Sequence, residues 1–224
     1  MILRRLLCIL LCLQFLALPV KAESKQYVAL TFDDGPSGRY TRTLLDGLSR
    51  RGVKATFFLC GYRMKEFPSL TQRIHAEGHE IGLHGYSHSS MKEMDRHALE
   101  RELNDTMALL PAGCRPTFLR PPGGESSQTV RRVARQMDLG ILGWSVDPRD
   151  WASDDAAAIT AAVTANIHSG DVILLHDMSE SSVEAAFSII DSLKKQGFSF
   201  VTAKELARLK GYAVEPGKLY RSFS

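Results

Sequence analysis

The chain has 224 residues, 44% hydrophobic and 24% charged, with 28 basic and 25 acidic side chains. That length suits one domain with a sizeable core. A net charge of only +3 provides no basic surface for nucleic acid or an anionic membrane.

At the N-terminus, Arg4 and Arg5 precede an apolar run from Leu6 to Leu18, and Val20-Lys21-Ala22 fits a small-residue cleavage site. This is the pattern of a secretory signal peptide over residues 1–22. An uncleaved anchor is the alternative, although the run is short for a membrane span. Neither Cys8 nor Cys12 has the preceding small residue that lipoprotein processing needs. The leader holds Arg4, Arg5, Lys21 and no acids, which leaves 25 basic and 25 acidic residues in a near-neutral remainder. The expectation is export to the periplasm or beyond, without stable membrane insertion after cleavage. Export permits disulfides, but Cys60 and Cys114 alone make no disulfide scaffold.

Downstream, strand-like and helix-like segments alternate. Residues 27–32 read as a strand, and 41–51 as a helix with Leu44, Leu45 and Leu48 on one face and Gly52 as its stop. Residues 53–59 are β-branched and aromatic, hence a strand. A helix over 69–77 ends at Gly78, followed by a strand over 80–83 and a helix over 96–110. A short strand at 117–119, a helix at 127–137 and a strand at 140–146 come next. An Ala-rich helix spans 155–168, a buried strand 172–175, a helix 183–196, a strand 198–201 and a last helix 203–210. Residues 23–210 form the domain, and 211–224 are left as a C-terminal tail.

Seven strand–helix units with short connections predict an α/β fold with a parallel sheet covered by helices. The polar clusters favour a closed barrel over an open sheet. Asp33/Asp34, His84, Arg120, Asp147/Asp150 and His176 all fall at C-terminal ends of different strands, which a barrel gathers around one mouth. Cys60 ends its strand at that mouth. Cys114 precedes a strand running towards the mouth, about six extended residues or roughly 20 Å away. The two are not expected to bond, since a disulfide needs Cα atoms within about 7 Å.

The chemistry begins at Thr31-Phe32-Asp33-Asp34-Gly35-Pro36. Gly-Pro breaks the strand, so adjacent carboxylates can leave strict alternation and reach one site. One can bind a cation while the other acts as a base. His84-Gly-Tyr-Ser-His88 sets two imidazoles four residues apart, on a helical turn or a tight loop. With Asp34 they form a two-His, one-carboxylate set that suits zinc, cobalt, nickel or ferrous iron. Alone, an Asp pair is usually a solvated turn and a His pair a surface coincidence; together they reinforce one another. Asp33 can take a proton from an activated water. Arg120, in Leu119-Arg120-Pro121-Pro122-Gly123-Gly124, can pair with Asp33. His176 follows an apolar strand and can protonate a leaving group. Asp150 can hold its imidazolium form.

These five clusters, in this order over residues 27–206, closely resemble the NodB-type polysaccharide deacetylases, carbohydrate esterase family four. The resemblance implies a distorted (β/α)7 barrel. It assigns Asp33 as catalytic base, Asp34, His84 and His88 as ligands of one divalent ion (zinc first, cobalt or nickel as substitutes), and Arg120 as the arginine that orients the base. Asp150 tunes the catalytic acid His176, Trp151 and Leu174 line a pocket for the acetyl methyl, and the Gly123 N–H is an oxyanion donor. The implied protein is an exported, monomeric, metal-dependent hydrolase that removes N-acetyl groups from a β-linked amino-sugar polymer. Peptidoglycan, chitin oligomers and poly-N-acetylglucosamine all fit. An O-acetyl esterase of xylan type and an inactive carbohydrate-binding module are the rivals. Two departures stand out. Gly85 replaces a hydroxyl residue that braces the histidine loop, and Gly123-Gly124 replaces an aromatic that walls the groove.

Overall fold

The computed structural model describes residues 25–224. The leader expected at 1–22 lies outside them. The first strand, β1 (Gln26–Asp33), is buried on both faces from Val28 onward. Its Val28, Leu30 and Phe32 join the cluster packed under the helices, whereas Ala29 packs on the inner side with Phe58, Phe118 and Leu142. Burial on both sides explains why the strand reads as a continuous apolar run.

Helix α1 (Arg39–Arg51) presents Leu44, Leu45 and Leu48 to that outer core and stops at Gly52, which is left-handed. Strand β2 (Thr56–Leu59), helices α2 (Gly61–Glu66) and α3 (Pro68–Ala76), strand β3 (Glu80–Leu83) and helix α4 (Arg96–Met107) follow. Then come β4 (Phe118–Leu119), α5 (Gln128–Gln136), β5 (Gly140–Leu142), α6 (Ala156–Thr164) and β6 (Val172–His176). The chain ends with α7 (Glu180–Lys195), β7 (Phe198–Val201), α8 (Ala203–Leu209) and β8 (Leu219–Tyr220). Side chains of Asp95, Ser127, Asp155, Ser179 and Thr202 accept backbone N–H groups at helix starts, which supplies the local stop-and-start signals.

The strands run in the order β6-β1-β2-β3-β4-β5-β8, and all named pairs are parallel. β1 serves three partners: β7 along Gln26–Ala29, β6 along Ala29–Asp33 and β2 along Thr31–Asp33. Past β5 the chain crosses over, and Val146 bridges to Ile173 of β6. The bonds Ser145 N–H to Val172 O (3.0 Å) and Leu174 N–H to Val146 O (3.0 Å) close the curl into a distorted barrel. Among the described residues no helix is long and apolar enough to cross a membrane, and Cys60 and Cys114 are both free thiols.

Three elements differ from the expected pattern. Helix α2 has only six residues and no side-chain cap, so it leaves no periodic signature. The strand expected over 140–146 ends at Leu142, because the chain leaves its β4 partner to meet β6. Residues 211–224, expected as a tail, contribute β8 to the sheet. Beyond β8, Phe223 is fully buried, with its ring 5.4 Å from Tyr220 and 6.3 Å from Phe118. A two-residue strand between Gly217 and the terminus is too short for alternation to be legible. Gly170 makes the docking possible: its φ is 107°, and a Cβ there would lie 2.7 Å from the Phe223 carbonyl oxygen. Phe223→Ala should therefore destabilise the fold by about 3–5 kcal/mol, on the order of 10 °C in Tm by thermal denaturation. A variant melting like the parent would show that this segment is dispensable.

Candidate active site

Asp33 is the last residue of β1 and points inward in the row of Ala29 and Thr31. Asp34 then takes φ 72°, which breaks the alternation and brings the second carboxylate to the same mouth. Beneath this corner lies a residue the sequence reading did not single out. Asp177 is fully buried, and burial pushes its carboxyl up to about 7. The Thr41 hydroxyl donates to its carboxylate and the Ser37 hydroxyl to its carbonyl. Gly35 permits this packing, since a Cβ there would lie 2.5 Å from Asp177 Oδ1.

His84 and His88 close on Asp34 from a loop rather than a helix. The loop has Gly85 at φ 83° and His88 at φ 61°. His84 Nε2 lies 3.2 Å and His88 Nε2 2.9 Å from Asp34 Oδ1. The facing His84 nitrogen, Nδ1, is 2.6 Å from the Arg120 carbonyl oxygen. A carbonyl only accepts, so Nδ1 is the nitrogen that donates there, and Nε2 is the one turned to Asp34. Asp34 Oδ1 is buried and receives no hydrogen bond of acceptable geometry, despite both short contacts. Burial opposes its charge, yet the two imidazoles hold its carboxyl well below the usual range. One ligand atom from each of the three, all within 4.8 Å of one another, fits a divalent cation.

The expected weakness at Gly85 is made good elsewhere. Glu102 of α4 accepts the Tyr86 and Ser87 N–H groups at 2.7 and 2.9 Å and the Ser87 hydroxyl at 2.9 Å. From the other side, the Gly61 and Tyr62 N–H groups at the start of α2 donate to the Gly85 and Tyr86 carbonyls. A side chain at Gly85 would need positive φ and would sit 2.7 Å from Met91 Cε and 3.2 Å from Glu102 Oε2. The glycine is thus required by the loop's shape, and the brace is a carboxylate sixteen residues beyond Tyr86 that local motif reading cannot see.

Arg120 is fully buried at the centre of the mouth. Its Nη1 donates to Asp33 Oδ1 at 2.6 Å and to Thr31 Oγ1 at 2.9 Å. Nε and Nη2 donate to the Leu142 and Gly143 carbonyls at 2.9 and 2.8 Å. Asp33 Oδ2 stays free of the guanidinium, 3.8 Å from His84 Nε2.

On the neighbouring strand, His176 ends β6 in register with Asp33. Its Nδ1 donates to Asp150 Oδ1 at 2.8 Å, and its backbone N–H donates to Oδ2 at 2.7 Å. Burial alone would lower the imidazole pKa. The Asp150 hydrogen bond and charge outweigh it, helped by Asp33 and Asp34, and raise the value to about 9. Asp147, expected near this group, is exposed and instead accepts the Arg149 N–H at 2.8 Å in its own turn. Leu174 is buried in β6, two residues before His176 and on the same face. Trp151 is 62% exposed, with the Arg149 guanidinium 5.2 Å from its ring. Gly123 has φ 71° in a 3₁₀ turn, Pro122–Gly124, and nothing lies within 4 Å of where its Cβ would be.

A family model described as polysaccharide deacetylase matches residues 20–142. The chain belongs to the polysaccharide deacetylase family. It is 37% identical over 194 residues to a peptidoglycan-N-acetylglucosamine deacetylase of Bacillus cereus, across 84% of this chain and 91% of that one. It is 35% identical over 202 residues to such an enzyme of Listeria monocytogenes, where 89% of this chain matches 42% of the longer relative's length. A family 4 acetyl xylan esterase from Clostridium thermocellum, solved with a cobalt ion, superposes with a TM-score of 0.82 at 38% identity. That match covers 88% of this chain and 98% of the other. The expected α/β architecture, a parallel (β/α)7-type barrel, is the fold of this family.

Two outcomes test this geometry. Gly85→Ser should bind a divalent metal more weakly and melt lower, and Glu102→Ala should do the same at a cost of about 2 kcal/mol; tighter binding in Gly85→Ser would contradict the loop as described. Because the His176 pKa is raised, the imidazolium and its stabilising contact with Asp150 are fully present below the ordinary 6.5 and are lost as pH rises through about 9. Asp150→Asn should bring the alkaline limb of a pH–rate profile down from near 9 towards 6.5. An unmoved limb would remove His176 from the role of titrating acid.

Proposed function

We propose that this protein is an exported, metal-dependent polysaccharide deacetylase that hydrolyses N-acetyl groups of a β-linked amino-sugar polymer to acetate and free amine. The observation that carries the reading is a base paired to Arg120 and an acid paired to Asp150, at register-matched ends of the neighbouring strands β1 and β6 and beside the Asp34, His84 and His88 cluster. Those three residues would hold the ion, zinc first and cobalt or nickel as substitutes. When bound, it supplies a Lewis acid that polarises the acetyl carbonyl and acidifies water.

The chain's own groups perform the rest. Asp33, oriented by Arg120 through one oxygen, uses Oδ2 to take the proton of the attacking water. The Gly123 N–H donates to the oxyanion that develops on the carbonyl. The neighbouring Gly124 N–H is already engaged by the Pro121 carbonyl at 2.8 Å. His176 holds a proton on Nε2 while Nδ1 is tied to Asp150, and passes it to the departing nitrogen. Leu174 and Trp151 border the acetyl methyl. With all these groups in place, a purely binding role has no supporting observation.

The 38% identity to an acetyl xylan esterase keeps an O-acetyl substrate as the second reading. Alkoxide leaves more readily than amine, so His176→Ala should cost an amide substrate far more than an ester. Equal losses would favour the esterase.

Acetate release should be measured on peptidoglycan, chitin oligomers, poly-N-acetylglucosamine and acetyl xylan, with and without chelator. Release from an N-acetyl polymer, abolished by chelation and restored by zinc or cobalt, is expected. Full activity after exhaustive chelation would sink the mechanism. Asp33→Asn should keep its metal yet lose turnover by roughly 10²–10⁴-fold, whereas Asp34→Asn should lose metal itself.

A further inference from the structure

Beside the reacting centre lies a groove of about 420 Å³, walled by the Gly123-Gly124 turn, the half-buried Trp144 and the start of α5. It begins one side chain from the base. The Arg120 guanidinium that touches Asp33 also lies 5.7 Å from the Trp144 ring. Gly124 (φ 73°) lets the indole press against the turn, since a Cβ there would be 2.7 Å from the Trp144 ring.

The groove's charge is uneven. Lys92 and Glu125 neutralise one another at 3.2 Å. Arg131 of α5 and Arg221, just after β8, also line it. Among the described residues neither guanidinium has a carboxylate within ion-pair reach or a hydrogen-bond acceptor, unlike Arg39, Arg51, Arg63, Arg73, Arg96 and Arg208. The groove therefore carries two unspent positive charges, and the positive end of α5 adds to them. A neutral sugar would take water from two arginines and return no acceptor charge. A planar carboxylate matches the arginine fork. The flat face of Trp144 suits the apolar side of a sugar ring.

Resting on the deacetylase reading above, we propose that this groove is a subsite for a carboxylate-bearing sugar next to the residue being deacetylated. The preferred polymer is then an acidic amino-sugar glycan, such as one with lactyl-ether carboxylates on alternate residues, rather than a neutral homopolymer.

The test compares peptidoglycan glycan strands with the same strands after their carboxylates are converted to uncharged amides. The wild-type protein should prefer the acidic strand in kcat/KM, through KM. Arg131→Gln and Arg221→Gln should each cut that preference about threefold, and the double variant about tenfold, as expected for partly exposed ion pairs. A preference that is the same in wild type and double variant, or absent in both, overturns the proposal. Binding of the already deacetylated strands, acidic and amidated, is measured in parallel by titration calorimetry. If neither acetylated strand releases acetate, the deacetylase reading fails. The subsite still stands if the wild type binds the acidic product more tightly and the double variant loses that margin. Equal binding of both products by the wild type overturns the subsite whatever the activity.

Discussion

Everything at the mouth of this barrel depends on one buried cation. Burying a guanidinium is expensive unless its donors are met. Arg120 meets this cost with acceptors on β1 and β5 and just beyond β5, and its carbon lies 4.0 Å from the Phe58 ring. Thr31 extends the network, since its hydroxyl accepts from Arg120 and donates to the Ile173 carbonyl of β6 at 2.7 Å. The Arg120 carbonyl also fixes which His84 nitrogen donates to it. The orientation of Asp33, the choice of donating nitrogen on His84 and the attachment of four strands thus share one residue. Lysine could not substitute, because a point ammonium cannot satisfy acceptors spread around a planar fork.

Around this centre, charge is arranged in two opposed pairs. Asp33 is tied to a permanent cation, so one of its oxygens remains available on the side of the cluster. His176 is tied to a permanent anion, so its proton is retained well above neutrality. Neither pair relies on solvent-exposed groups, so added salt screens them little. In the proposed mechanism the division of labour follows from which partner each group has, not from its intrinsic acidity.

Much of this was legible in the chain. Apolar strand runs ending in polar clusters announced both the parallel sheet and the shared mouth, because strand ends are the only place where buried backbone meets open chemistry. Asp33, Asp34, His84, His88, Arg120, Asp150 and His176 are all brought there. What escaped were features set by distant packing. Glu102 braces the histidine loop from another helix, Asp177 underlies the carboxylate corner, and Arg221 arrives from the last residues of the chain. Gly85 looked like a missing hydroxyl because a motif records residue types but not dihedral angles. Asp147 fell in the right segment but turned outward, since an Asp two residues before a free N–H readily closes its own turn.

The barrel's closure is thin. β1 and β6 share a five-residue register, whereas the side arriving from β5 meets β6 around the Val146 bridge, through backbone bonds of Ser145, Val146 and Leu174. Asp150 follows that bridge and His176 ends β6, so the acid pair straddles the seam. The Asp34, His84 and His88 set, by contrast, lies on the continuous β1–β2–β3 part of the sheet. The two halves of the site therefore have different mechanical backing. Parting that seam would separate His176 from Asp150 and leave Asp34, His84 and His88 together, so proton supply is the part of the proposed chemistry that a local opening of the barrel would cost first.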